Sequence, residues 1–307
     1  MVSFLFFSAV PRMTSPIPLA TNAKLWYNKT NHRFYPFSQT NQDGTHMKIL
    51  VFSDLHYFGG DMENFHSERK LVQYALPMLD AFIKVAEDEG VSLAVNLGDI
   101  IQDTGDKEKD LSCLSYMFER LKRFSCPCHS VLGNHDMKMM DSIDEIEAVM
   151  EQERTTYSID YEGYHLVFLT TEIRPEMGTR RGGSYKTQHL SQSALQWLSQ
   201  DLAKNTLPCF VFTHFPLVDD SRVTDACAYM SNRAEVKEIL YSTKNVKAVF
   251  VGHQHPPRVV EENGLTYYVV GSPTFAPAED GIPIGVYRMI EADGDRIEIH
   301  ERHIVLP

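Results

Sequence analysis

From Met47 onward, short apolar runs alternate with longer segments whose apolar residues recur at helical spacing, the pattern of strands joined by crossover helices. Residues 48–53 read as the first strand and residues 92–97 as a second, buried one. Between them, residues 67–89 place Leu71, Val72, Ala75, Leu79, Phe82, Ile83 and Ala86 near helical period. Pro77 predicts a kink or break in that helix, and Gly90 a stop. Residues 111–124 predict a second helix, and residues 130–132 a short strand that runs into Gly133. Residues 156–160 and 165–171, joined around Glu162-Gly163, predict a hairpin. Residues 191–203 form an amphipathic pattern with Leu195, Leu198 and Leu202 at core spacing. Residues 209–213 and 246–251 predict buried strands ending at His214 and Gly252, and residues 266–270, 284–290 and 296–300 a β-rich carboxyl end. The sequence contains no internal repeat and no low-complexity tract.

Residues 1–46 depart from this pattern. Residues 2–10 are apolar but too short to span a bilayer, and they lack the positively charged start of a signal peptide, so they read at most as a weak export signal. The stretch that follows, to Gly44, mixes Pro, Asn, Thr and Ser without helical or strand period, as an irregular extension does. Met47 opens the ordered pattern so abruptly that it is a candidate translation start. The expected organisation is an irregular extension over residues 1–46 and one domain over residues 47–307. No apolar run reaches the roughly 18 residues of a membrane span, so none is expected.

Composition narrows the partners. The net charge of -12 sets up general repulsion toward a polyanion, which disfavours broad nucleic-acid binding. A small phosphorylated substrate remains compatible if divalent cations invert the potential of their cleft. The 5 cysteines are sparse and odd in number, unlike a disulfide framework, and point to a reducing, cytoplasmic setting. Cys126-Pro127-Cys128 has one intervening residue rather than the usual two, and it reads as buried or incidental thiols.

The candidate chemistry lies where apolar runs end. In chain order the polar clusters are Asp54-Leu55-His56, Gly98-Asp99, Gly133-Asn134-His135-Asp136, Thr213-His214 and Gly252-His253-Gln254-His255. Ligands of α/β sheets gather at the carboxyl ends of strands, so these clusters are expected to meet. In Asp-x-His the two side chains point to one side of an extended segment and can grip one ion. The glycines are expected to supply backbone freedom for tight turns after strands. Imidazoles with carboxylates and an amide oxygen favour manganese, iron or zinc over calcium, and they are too many for one catalytic zinc. A carboxylate can bridge two ions, and a two-metal centre activates water while clamping both sides of a displacement at phosphorus. Alone, each histidine would more often be a core or surface residue. The joint pattern reverses that, leaving His32, His46, His66, His129, His165, His189, His300 and His303 with the ordinary reading.

The five clusters, in this order, resemble the calcineurin-like metallophosphoesterase superfamily over most of the chain, from about Met47 to His300. Within it, the Phe52-Ser53-Asp54-Leu55-His56 and Gly252-His253-Gln254-His255 stretches are similar to bacterial class III cyclic nucleotide phosphodiesterases. The resemblance implies an α/β fold, a four-layer αββα sandwich with mixed sheets, and dinuclear-metal-dependent hydrolysis of a phosphodiester or nucleotide. It implies that Asp54, His56 and His255 hold a first divalent ion (Mn, Fe or Zn), with Asp99 bridging to a second held by Asn134, His214 and His253. Asn134 and His135 would contact the phosphate, with His135 protonating the leaving oxygen or stabilising charge, while Asp136 is not expected to ligate.

One position departs from that pattern. Where many relatives carry an acid that orients the catalytic histidine, this chain has Gln102, with Asp103 one step later as a possible substitute. The missing arginine and the aspartate at 136 speak against a protein phosphatase. The competing class is a scaffold that keeps the fold for partner binding, but such a protein is expected to have lost ligands, and none is missing. Arg180-Arg181-Gly182-Gly183 reads as a solvated loop rather than a phosphate site, and Tyr57 and Phe58 either stack on a base or pack under their loop.

Overall fold

The computed structural model describes residues 25–28, 33–36, 46–65, 67, 69–177, 184–221, 223, 225, 228–278 and 281–306. The chain divides into two units, Met1–Thr40 and Asn41–Pro307. In the first, β1 (Leu25–Asn28) pairs antiparallel with β2 (Arg33–Pro36), with Leu25 opposite Pro36. The sequence of that stretch carries no strand period, so this ladder is a departure from the expected irregular extension.

The second unit is built on strand residues that alternate between two cores. Strands β3 (Met47–Phe52), β4 (Leu93–Asn96) and β5 (Cys128–Ser130) run parallel, with Ile49 beside Leu93 and Ala94 beside Cys128. Helices α1 (Ala75–Asp88) and α2 (Lys107–Leu121) make the crossovers. The chain then passes through short helices α3 (Asn134–Met137) and α4 (Asp144–Met150) into the hairpin of β6 (Tyr157–Tyr161) and β7 (Tyr164–Leu169). Helix α5 (Ser184–Thr187) and α6 (Gln192–Lys204) lead to β8 (Cys209–Thr213), and α7 (Arg233–Ser242) to β9 (Val246–Val251). Two hairpins follow, β10 (Arg258–Glu262) with β11 (Leu265–Val269), and β12 (Val286–Asp293) with β13 (Arg296–His303).

The strands form a five-stranded sheet, β13-β12-β3-β4-β5, and a six-stranded sheet, β10-β11-β9-β8-β7-β6. Both mix parallel and antiparallel neighbours. Because strand side chains alternate faces, Met47, Ile49, Val51, Leu93 and Val95 meet Leu166, Phe168, Phe210, Phe212 and Phe250 between the sheets. The ring centroids of Phe168, Phe212, Phe250 and Tyr268 step across this layer at 5.3, 5.3 and 5.2 Å. On the opposite faces, Leu50, Phe52 and Ala94 pack against Leu79, Phe82, Leu114 and Met117 of α1 and α2. Val167, Val211 and Val249 likewise pack against Leu195, Leu198, Val236 and Leu240 of α6 and α7. Helix, sheet, sheet and helix thus stack in four layers, as expected.

Several boundaries differ for identifiable reasons. Pro77 causes no break: it sits in the first turn of α1, where its missing N–H would have had no helical partner. Helix α2 starts at Lys107 rather than Leu111 because Asp106 caps it, its side chain accepting from Lys109 N at 3.2 Å. The predicted β6–β7 hairpin forms, with Glu162 and Gly163 both at positive φ (47° and 84°), as a primed turn requires. Asn263-Gly264 makes the same turn between β10 and β11 (52° and 78°), so β10 is a strand the hydrophobic pattern missed. Among the described residues no helix is long and apolar enough to cross a membrane.

Candidate metal centre

All five polar clusters sit at strand ends on one edge of the paired sheets. The loops after β3 and β4 are laced together: Asp54 N donates to Gly98 O at 2.9 Å, His56 N to Asp99 O at 3.0 Å and Tyr57 N to Ile100 O at 2.9 Å. The loops after β8 and β9 join through Gly252 N to His214 O at 2.9 Å. His253 N donates to Asp54 Oδ2 at 3.0 Å, and His214 Nδ1 to Leu97 O at 2.8 Å, tying the two sheets together. Asp54, His56, Asp99 and His253 all have positive φ, between 49° and 65°. Left-handed backbone is strained for such residues and persists only where surrounding contacts over-determine it.

Of the three glycines in these clusters, only Gly98 needs its conformational freedom, with φ of +93°. Gly133 has an ordinary φ of -99° and is required for space instead: a Cβ there would lie 2.2 Å from Asp99 Oδ1. Gly252 is the same case, its Cβ position 2.1 Å from Ser53 Oγ. The expected reason, turn freedom, therefore holds at Gly98 and is replaced by close approach at the other two.

The side chains named from the sequence converge. His56 Nε2 lies 3.0 Å from His255 Nε2, and Asp54 Oδ1 lies 3.7 and 3.8 Å from those two nitrogens. Alongside, His214 Nε2 lies 3.4 Å from Asp99 Oδ2, 3.2 Å from His253 Nδ1 and 3.3 Å from Asn134 Oδ1. Ligand atoms of Asp54, His56 and His255 all lie within 4.8 Å of one another, as do those of Asp99, His214 and His253, and those of His56, Asp99 and His135. Asp99 thus lies within reach of both triads. Asp54 Oδ1 is buried with no hydrogen-bond partner among the described residues, an arrangement that a cation between it and the facing imidazoles would satisfy. The donor set and this orphaned oxygen fit divalent metal ions.

The electrostatics agree. Burial pushes Asp54 up to about 6, against the pull of His214. Burial, with Lys70 close by, holds His56 and His255 well below the usual histidine range and so keeps them neutral, the ligating form. Burial would lower His214, but the Asp99 carboxylate raises it to about 9. Burial opposes ionisation of Asp99, yet His214 and His135 hold it well below the carboxylate range. Asp136, raised by burial to about 7, faces away from the ligand atoms. It accepts from Asp99 N and Gly133 N, each at 2.8 Å, and from Ile101 N at 3.2 Å, pinning two ligand loops together.

Beside the cluster, His135 is held by groups that were only partly legible in sequence. Its Nδ1 makes a short hydrogen bond with Asp103 Oδ1, so Asp103 supplies the acid absent at position 102. Gln102 Nε2 also lies 3.0 Å from that nitrogen. Lys138 Nζ donates to Asp103 Oδ2 at 2.7 Å, and His135 and Lys138 hold Asp103 below the carboxylate range against its burial. Two residues carried no local signal. Ser53 donates a short hydrogen bond to Asp54 Oδ2, and Lys70 Nζ lies 3.3 Å from His135 Nε2 and 3.2 Å from Gln102 Oε1. Lys70 lies far from any strand end in sequence, and only its antiparallel bridge to Phe275 brings it to the site.

The ordinary readings also have outcomes. Tyr57 packs on Tyr116 and Phe58 on Phe65, with centroids 5.3 and 5.0 Å apart, so both rings are engaged within the protein. His129 bonds Tyr157 Oη at 2.7 Å, and His165 sits between Asp160 and Asp201 at 2.7 and 2.9 Å. Burial pushes the thiol of Cys126 up to about 12 and that of Cys128 well above the usual thiol range, which disfavours the reactive thiolate at both. Residues 180–183, His32, His66 and Cys227 lie outside the described residues.

Comparison with known proteins agrees with this geometry. The calcineurin-like phosphoesterase family profile matches residues 47–257, more than half of the chain. A Fibrobacter succinogenes protein named "Probable cyclic nucleotide phosphodiesterase" is 28% identical over 178 residues, 57% of this chain and 64% of that protein. The chain therefore spans less than two thirds of that relative. A 3′,5′-cyclic adenosine monophosphate phosphodiesterase of Haemophilus influenzae is 29% identical over 233 residues, 74% of this chain and 76% of that protein. A solved dimetal phosphatase from Danio rerio superposes with a TM-score of 0.65 at 16% identity, covering 84% of this chain and 99% of its own, a likeness of fold. With residues 47–257 matched by that profile and the strand-end cluster at hand, the chain belongs to the calcineurin-like phosphoesterase family.

Proposed function

We propose that this protein hydrolyses a small phosphodiester or nucleotide phosphoester using two divalent metal ions. Asp54, His56 and His255 hold one, Asn134, His214 and His253 the other, and Asp99 serves both. The observation that carries this reading is the pair of adjacent ligand triads with Asp99 in reach of each. When bound, the ions supply Lewis acidity toward phosphoryl oxygens and acidify water. The chain's own groups do the rest. Asn134 and His135 face the phosphate. His135 Nε2 carries the proton for the leaving oxygen, and Asp103 at Nδ1 orients the ring and stabilises its charged form, itself kept ionised by Lys138. The relatives named as cyclic nucleotide phosphodiesterases support a nucleotide-sized substrate. The net charge of -12 argues against long polyanions.

Manganese-reconstituted protein is expected to hydrolyse bis-p-nitrophenyl phosphate. Inactivity across manganese, iron and zinc would sink the enzymatic reading, and near-zero metal uptake would favour a scaffold instead. A panel of cyclic nucleotides, nucleotide diphosphates and phosphomonoesters at fixed manganese then selects the substrate class.

A further inference from the structure

Lys70 differs from several other lysines of the chain in what it touches. Lys138, Lys107 and Lys122 each pair with a carboxylate within 3.2 Å. The side-chain partners of Lys70 are the neutral amide oxygen of Gln102 at 3.2 Å and His135 Nε2 at 3.3 Å. Among the described residues no carboxylate lies within ion-pair distance of it. The carboxylates of Asp99, Asp54 and Asp103 act on this ammonium only from beyond that distance, which leaves room for a substrate oxygen to be its direct anionic partner.

The mounting of Lys70 is rigid. Its backbone bridges to Phe275, Leu71 N donates to Thr274 O at 3.0 Å, and Ala276 N donates to Arg69 O at 2.9 Å. The same strap is anchored to the metal-ligand loop, since Ser272 Oγ donates to Asp54 O at 2.7 Å and Thr274 Oγ1 to Leu55 O at 3.3 Å. A flexible surface lysine would lose its rotamer freedom on meeting substrate, whereas this one is already held in place.

From these contacts we infer that Lys70 is a further catalytic residue, which donates to the substrate oxygen that leaves phosphorus. The inference rests on the reading that His135 Nε2 protonates that oxygen. Nζ and Nε2, 3.3 Å apart, share a hydrogen bond only while Nε2 is unprotonated; once Nε2 carries its proton both groups are donors, and an oxygen placed between them lies within reach of each. As a water oxygen forms the new bond to phosphorus and gives up a proton to solvent, the P–O bond to the leaving group breaks, its electron pair goes to the leaving oxygen, and the proton taken up there comes from His135. Lys70 supplies a fixed positive charge that stabilises the negative charge not yet neutralised.

The test uses the full chain loaded with manganese and a series of substituted phenyl phosphodiesters whose leaving phenols grow progressively more basic. K70M keeps the stem and removes the charge, K70R restores a cation, and K70Q offers a second neutral variant if K70M folds poorly. Metal content and thermal unfolding are measured for each. The expected result is a loss of kcat of about 100-fold or more for unsubstituted phenyl but under about tenfold for p-nitrophenyl, largely recovered in K70R, with metal content unchanged. Equal loss across the series with metals retained, or no loss, overturns the role of Lys70 while leaving the hydrolase reading standing. A wild-type protein that loads metal yet cleaves no member fails the hydrolase reading itself, and this inference with it.

Discussion

At the scale of single residues, the proposed metal-holding groups are distinct from the groups that would position them. Asp99 has one oxygen 3.4 Å from His214 Nε2 and the other accepting from His135 N at 2.7 Å, so it joins the ligand cluster to the histidine beside it. Asp99→Ala is expected to lower activity about 1000-fold or more and to reduce bound metal well below that of the wild type, measured by kinetics and elemental analysis. Asp103→Asn should behave differently. It touches His135 rather than the ligand triads, so metal content should be unchanged while kcat falls about 10- to 100-fold and the acid limb of the pH profile shifts. Unchanged kcat would mean that Gln102, not Asp103, sets the ring.

At the scale of elements, the strand-end loops are tight because neighbouring loops occupy the space a side chain would need. Gly133→Ala would drive a Cβ to 2.2 Å from Asp99 Oδ1, and is expected to destabilise by about 1–3 kcal/mol and weaken metal uptake. Gly163→Ala is the contrast. Nothing lies within 4 Å of its Cβ position, so only its φ of +84° matters, and metal uptake should be unaffected by a loss of about 1 kcal/mol. Pro77→Ala should change stability by no more than about 1 kcal/mol, since the ring sits in the first turn of α1. A larger change in denaturant titration would restore the kink read from the sequence.

At the scale of the whole molecule, metal binding on the proposed reading would be coupled to folding, because the candidate ligands come from both sheets. Metal held only by the folded state adds about 2.7 kcal/mol at a free concentration one hundred times its Kd. The effect should grow with pH. His214 is raised to about 9 from its model-compound 6.5, so its pairing with Asp99 stabilises the metal-free fold below pH 6.5 and is lost as pH rises through 9. The same proton must leave before Nε2 can ligate, so metal affinity rises over that window. Asp54, raised to about 6, is already ionised above it, and His56 and His255 are already neutral. The rise in Tm on adding a fixed manganese concentration is therefore expected to be greater at pH 8.5 than at pH 6.5 in differential scanning calorimetry. An equal rise at both would place the His214 proton elsewhere.

Hydrophobic period was enough to mark the buried strands at residues 209–213 and 246–251 to the residue, because a short, mainly apolar run ending at a polar cluster has one satisfactory burial. Order and residue type were enough to name side chains that the fold brings together, since imidazole and carboxylate at successive strand ends converge on one edge of the sheets. What the sequence left open depends on contacts between segments distant in the chain. Helices α4 and α7 lie on surfaces where period is weak, and β10 was betrayed only by the Asn263-Gly264 turn. The acid for His135 shifted one position, to Asp103, because Gln102 shares the same nitrogen and Lys138 reaches from α3's end to hold the carboxylate. Lys70 joins the site through a bridge to Phe275, some two hundred residues away. Local periodicity determines which faces are buried and which polar groups end up at strand termini, whereas the tertiary structure decides which of those groups touch, because hydrogen bonds across loops carry no trace in local sequence.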